Sequence, residues 1–358
     1  MTSKIKFKNG KELDVPIIQG GMGVGISLSS LAGAVMREGG MGVISAAHPG
    51  YRKPNFLKDS VVCNMEAIHE EVQKARLLAN GNGLCGVNVM VASKDYEFYI
   101  KACVDAKVDA IISGAGLPMH LPALVHDENI LLAPIVSSAR ACRLICKTWD
   151  RHHHCAPDFI VIESSLAGGH LGFKKEDLFA GKVQSLDEIL ADVLAILPEY
   201  EKAYDRNIPV FVAGGVYDAK DIAHYVELGA SGVQMGTRFI ATKECDAADA
   251  YKQVFVNAKK EDIQFVNSPA GLPGRAIETA FTKHIRQERI APTHCIGCMT
   301  PCHPATTPYC ITDALIHAVQ GDVDHGLVFA GANAYRISEI TSVKTLMNEL
   351  KEGFHKGE

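Results

Sequence analysis

The sequence predicts an α/β chain that closes into a (β/α)8 TIM barrel, with a C-terminal lid and a cysteine-bearing extension. Eight short, β-branched runs alternate with helical stretches, the pattern of parallel strands buried on both faces. The alternation never reverses, which favours a closed barrel over a doubly wound open sheet. No G-x-G-x-x-G follows the first strand to open a helix; Gly20-Gly21-Met22-Gly23 leads instead into a looser loop.

Taken in order, the expected strands are Pro16–Gln19, Met41–Ser45, Leu84–Met90, Val108–Ser113, Ile130–Val136, Phe159–Glu163, Pro209–Ala213 and Gly232–Met235. Between them, Ser29–Glu38, Met65–Ala79, Asp95–Ala106, Ala139–His152, Ser185–Leu197 and Ala219–Leu228 space apolar residues three and four apart, as amphipathic helices do. Ser185 with Glu188 forms a capping box. Residues 1–258 are therefore read as the barrel. Residues 259–358 are read as lid, cysteine segment and C-terminal helices packed on it, with Asn257–Pro292 over the site, helices at Asp313–Gln320 and Ser338–Glu352, and a turn at Gly331–Arg336.

Composition narrows the function. The chain is 47% hydrophobic and 22% charged, with a formal net charge of −5. No Lys/Arg stripe marks a nucleic-acid or anionic-membrane partner. No apolar run approaches the ~18 residues of a membrane span, and no charged-then-apolar signal opens the chain. These features point to a cytoplasmic, small-molecule enzyme that could assemble as a homo-oligomer. Seven cysteines, at 63, 85, 103, 142, 146, 155 and 245, are scattered in apolar contexts and read as small buried hydrophobes.

In a barrel the residues just after each strand face the active site. Here those positions hold Gly20, Gly21 and Met22, then Asn88, then Glu163 to His170, then Gly214-Gly215, then Gln234, Met235, Gly236 and Thr237. Glycine there lets backbone N–H groups approach a flat or anionic ligand. Gly214-Gly215 and Gly236-Thr237 follow strands seven and eight, where barrels bind phosphate between neighbouring loops. Together they suggest flavin mononucleotide, with sugar phosphates as the alternative. His170, behind Gly168-Gly169 on the loop after strand six, is the candidate catalytic residue. Arg275 is a cation on the lid that could meet a phosphate or a nitronate. Arg151-His152-His153-His154 reads as a solvated helix end, and Arg140 and Arg143 as surface residues.

Cys295, Cys298, Cys302 and Cys310 lie within sixteen residues, spaced C-x2-C-x3-C-x7-C. Four soft thiolates so spaced suit a [4Fe-4S] cluster, or else a structural zinc to which His294 and His303 are near, with free thiols as the remaining reading.

The segments IIQGGMG at 17–23, GVNVMV at 86–91, GAGLP at 114–118, AGGHLG at 167–172, FVAGGV at 211–216, GVQMGTRF at 232–239 and SPAGLPGRAI at 268–277 resemble, in the same order, the flavin-dependent nitronate monooxygenases and the related flavin-containing enoyl-acyl-carrier-protein reductases. The resemblance implies FMN at the C-terminal face of the barrel, held by Asn88, Glu163, Gly168, Gly215 and Gln234–Thr237, with His170 catalytic. It implies oxidation of nitronates or nitroalkanes, or alternatively NAD(P)H-dependent enoyl reduction. Ser164 and Leu166 stand where the family commonly has glycine and an acid. The cysteine segment resembles the cluster-binding part of dienoyl-CoA-reductase-type flavoenzymes, which implies a one-electron relay. A flavin and iron-sulfur electron-transfer protein exchanging with a ferredoxin is the reading from another class.

Overall fold

A computed structural model describes residues 4–355. Its centre is a closed parallel barrel built from β3 (Ile17–Gln19), β4 (Met41–Ser45), β5 (Leu84–Met90), β6 (Ala110–Gly114), β7 (Leu131–Val136), β8 (Ile160–Glu163), β10 (Val210–Ala213) and β11 (Gly232–Met235). Each strand pairs with the next, and β11 returns to β3, so no edge is left open. The expected strands match these to within two residues at either end.

The inward side chains form a compact core, with Ile18, Met41, Val43, Ile112, Ala133, Val161 and Phe211 in mutual contact. The outward ones meet the surrounding helices in a second, larger cluster that includes the only tryptophan, Trp149. Its indole N–H donates to the Pro118 carbonyl at 3.0 Å, which satisfies the one polar atom of an otherwise apolar, fully buried side chain.

Three features were not expected. A hairpin of β1 (Ile5–Lys6) and β2 (Glu12–Leu13) closes the barrel's N-terminal end, where Phe7 and Leu13 join the inner core and the Phe7 ring sits 5.6 Å from that of Phe159. The helix expected over Ser185–Leu197 is two helices, Leu186–Leu194 and Leu197–Ala203, because Pro198 occupies the start of the second. The Ser185/Glu188 capping box is present. The last helix begins at Val343 rather than Ser338, since Ser342 caps it and Thr341 is engaged in a bridge with Thr242.

The lid is a small antiparallel sheet. The strand β12 (Ile263–Asn267) pairs with β13 (Pro273–Ile277), which also pairs with β14 (Val328–Phe329). The short β9 (Gly169–His170) comes from the barrel loop and joins the same sheet through Gly274↔His170 and Arg275↔Gly169. The helix Val343–Lys351 returns to the barrel's outer layer with Val343, Leu346, Met347 and Leu350 buried.

Gly42, on β4, shows how tightly helix and strand fit. A Cβ there would lie 2.0 Å from the Ala32 carbonyl oxygen of helix Ser29–Arg37. Gly42→Ala should therefore lower stability by about 3 kcal/mol, seen as a reduced urea midpoint at unchanged m-value.

Candidate active site

One cavity of ≈ 270 Å³ opens above the C-terminal strand ends. Its lining includes Gly20, Gly21, Met22, Asn88, Glu163, Gly168, Gly169, His170, Gly214, Gly215, Gln234, Met235, Gly236 and Thr237. The barrel thus brings together residues more than two hundred positions apart in the chain.

Glycine is needed here for close approach. A Cβ on Gly21 would fall 2.4 Å from the Asn88 Cβ, and one on Gly168 would fall 2.5 Å from the Ala330 carbonyl carbon. Gly214 and Gly215 have φ of 86° and 87°, a region that side-chain-bearing residues rarely adopt. Their neighbours complete a polar end. Asn333 Nδ2 donates to the Gly215 carbonyl at 2.6 Å, and the Gly331 N–H donates to Thr237 Oγ1 at 3.0 Å. Gly331, Ala332 and Asn333 line the cavity too, although nothing in the sequence had singled them out as ligand-facing.

His170 is held on three sides. Its backbone is paired with Gly274, its ring meets Phe329 edge-on at 5.1 Å, and its Nε2 lies 2.6 Å from Ser268 Oγ. Burial lowers its pKa to about 4, so the ring is neutral at physiological pH. Ser268 Oγ also accepts the Ala270 N–H at 3.1 Å. The SPAGLPGR segment thus supplies the partner of the histidine.

Ser164 and Leu166 have separate roles. Ser164 Oγ donates to the Gly214 carbonyl and accepts the Leu166 N–H, so it ties the loops after β8 and β10 together. Leu166 is 45% exposed and faces the cavity.

Arg275 corrects an expectation. It does not line the cavity but is buried on β13, donating to the Ser165 and Ala167 carbonyls at 2.7 and 2.6 Å and lying over the Phe265 ring. Its reach toward a ligand is consumed in holding the loop that carries His170. Arg140, Arg143, Arg151, His152 and His154 are exposed at or near a helix surface, as expected.

The four-cysteine segment also departs from expectation. All four thiols are free, and among the described residues no three His, Cys, Asp or Glu side chains converge as a metal site. Backbone anchors hold the segment in place. The Cys298 carbonyl accepts the Lys94 N–H, and Met299 bridges Ser93 beside the loop after β5. Cys310 stands at the N-terminus of helix Ile311–Val319, while Cys295 is exposed. Burial pushes the Cys298 thiol up and that of Cys310 to about 12. The arrangement among the described residues lends no support to a cluster or a zinc ion. Cys298, Met299, Ile311, Thr312 and Leu315 instead make a wall of the cavity.

Among the described residues no helix is long and apolar enough to cross a membrane.

Comparison with known proteins agrees with this geometry. A family model described as nitronate monooxygenase matches residues 65–353. A probable nitronate monooxygenase of Staphylococcus aureus (strain Newman) is 24% identical over 320 residues, covering 80% of this chain and 82% of that one. Another, of Staphylococcus saprophyticus, is 25% identical over 284 residues, covering 74% and 76%. The structure of FabK from Thermotoga maritima superposes with a TM-score of 0.72 at 26% identity, covering 96% of this chain and 94% of that one. Nitroalkane oxidase from Streptomyces ansochromogenes shares the fold, with a TM-score of 0.69 at 21% identity and 96% coverage of both chains.

Glu163 gives the site a measurable signature. Burial raises its pKa from 4.5 to about 8. Between those values the folded protein keeps a proton that the unfolded chain has lost, so stability falls as pH rises through that window. In flavin-free protein, Glu163→Gln should flatten this decline, read as a smaller loss of urea midpoint from pH 5 to pH 8 than in the parent.

Proposed function

The chain belongs to the nitronate monooxygenase family and is an enzyme, a flavin-dependent oxidoreductase; on that premise we propose that it binds FMN above the barrel and oxidises nitronates, with His170 as catalytic residue. The donor set fits the cofactor. Backbone N–H groups at Gly214, Gly215 and Gly236 with the Thr237 hydroxyl would hold the phosphate, as paired loops of a barrel do. Gly20, Gly21, Met22, Asn88, Glu163, Gly168, Gly169, Gln234 and Met235, which line the cavity, would border the rest of the molecule. FMN, when bound, supplies the electron-accepting ring.

The observation that carries the choice of substrate is the hydrogen bonding of His170. Ser268 Oγ accepts the Ala270 N–H and is taken to donate its own proton to Nε2, the tautomer in which Nδ1 carries the ring proton. Among the described residues Nδ1 has no protein partner. A neutral ring presenting an N–H suits an oxygen of a nitronate, which arrives already deprotonated. A nitroalkane would instead demand a base at that nitrogen. The buried, pre-set ring adds little reorganisation cost on binding.

A second reading, NAD(P)H-dependent reduction of an enoyl thioester, is favoured by one feature, the apolar wall of Met90, Met299, Ile311 and Leu315. A small nitronate leaves that wall uncovered. Both readings use the same histidine.

Oxygen consumption with propyl-2-nitronate and with 2-nitropropane separates the outcomes. The expected result is a larger kcat/KM for the nitronate. His170→Asn should lower it roughly 10²- to 10⁴-fold with flavin content unchanged, and Ser268→Ala about tenfold. No turnover of the nitronate, with a crotonyl thioester reduced by NAD(P)H, would replace this reading by the second.

A further inference from the structure

A second imidazole faces the same cavity. His48 follows β4 in the turn Ala46–Gly50 and lines the cavity, yet no motif drew attention to it. Its backbone has φ of 53°. That left-handed conformation costs a non-glycine residue on the order of 1 kcal/mol. Such strain is retained where the surrounding structure fixes it.

The fixing element is Asn64, fully buried on the helix Ser60–Ala79. Its Oδ1 accepts the Gly50 N–H at 3.0 Å. That bond can be made only by the amide oxygen, so Nδ2 must face the other way. There it lies 3.1 Å from His48 Nδ1 and 3.0 Å from the Tyr99 hydroxyl oxygen. An amide N–H donates, so His48 Nδ1 must accept and its lone pair is spent. The ring proton of the neutral form is therefore on Nε2. Gly50 makes the arrangement possible, since a Cβ there would sit 2.3 Å from the Cys63 carbonyl oxygen of the same helix. The ring is further held edge-on to Phe56 at 5.6 Å.

We propose that His48 is a specificity-determining residue that presents a fixed Nε2–H to the cavity and donates it to an sp² oxygen of the substrate, with Asn64 as the positioning residue that sets its tautomer. Burial lowers the His48 pKa to about 4, so the donor stays neutral and its direction does not change across physiological pH. The ligand class it selects is a planar oxygen acceptor, such as the NO₂ end of a nitronate, a carboxylate or a thioester carbonyl. His170 and His48 then contact such a group from two separate loops, after β8 and after β4. This rests on the reading of the cavity as a flavin and substrate site.

Two measurements on the FMN-loaded enzyme test it. Ring-¹⁵N-labelled histidine, with the His48 signals assigned by their loss in His48→Phe, should show Nδ1 unprotonated and Nε2 protonated at neutral pH. Isobutyrate, a non-reacting carboxylate of the same shape as propyl-2-nitronate, should perturb the flavin absorption. Its Kd should rise ten- to hundredfold in His48→Phe and recover to within about tenfold of the parent in His48→Gln, with FMN content unchanged throughout. An Nδ1-protonated ring, an unchanged isobutyrate Kd in His48→Phe, or loss of FMN from that variant would each overturn the proposal. A parent enzyme that binds isobutyrate through His48 yet turns over no nitronate would sink the functional reading and leave this one standing.

Discussion

The site depends on a two-residue strand pairing. A closed parallel barrel satisfies its own backbone and presents only loop ends, which are free to move unless something outside the barrel fixes them. Here β9 leaves the barrel loop and pairs with β13 through Gly274↔His170 and Arg275↔Gly169. Arg275 reinforces the junction by donating to the Ser165 and Ala167 carbonyls. Among the described residues no carboxylate pairs with it, and burial lowers its pKa to about 10. A buried cation held only by carbonyls and an aromatic face costs stability, so its place in the fold is better understood as rigidity of the histidine loop than as net stabilisation. The same lid sheet delivers Ser268 to His170 Nε2 and Phe329 to its ring. The imidazole is thereby fixed in position and in charge before any ligand arrives.

Much of the barrel was legible because its strands are buried on both faces, and continuous β-branched runs such as Leu131–Val136 have few other interpretations. The elements that escaped are short or belong to the periphery. The hairpin around Asn9-Gly10 carries a recognised turn dipeptide, but its strands are two residues each. The lid strands β12 and β13 contain Gln264, Asn267, Gly274 and Arg275, a composition that reads as loop until a partner strand is known. The break after Leu194 was signalled by Pro198 and overridden by the apolar periodicity on either side.

At the site, the glycine-rich strand ends were visible because the barrel rule assigns them to one face. The residues that complete the cavity from outside the barrel have no such rule. Gly331 and Asn333 brace Thr237 and Gly215 from a turn near the C-terminus, and His48 gains its meaning only from Asn64, a polar residue on a largely apolar helix face. The cysteine spacing is a true regularity of the sequence, but among the described residues the structure gathers no metal site from it. Its segment is pinned to the loop after β5 by backbone pairing, which turns Cys298 and Met299 into cavity wall. The cavity consequently has a polar end at Gly214–Thr237 and an apolar end at Met299–Leu315.

A fluorescence titration of flavin-free protein with FMN and with riboflavin tests that polarity. If the loops after β10 and β11 form a phosphate site, FMN binds tighter than riboflavin by roughly ten- to a hundredfold or more, the worth of one or two hydrogen bonds to a charged group. Equal affinity for the two flavins, or binding of neither, would contradict the account.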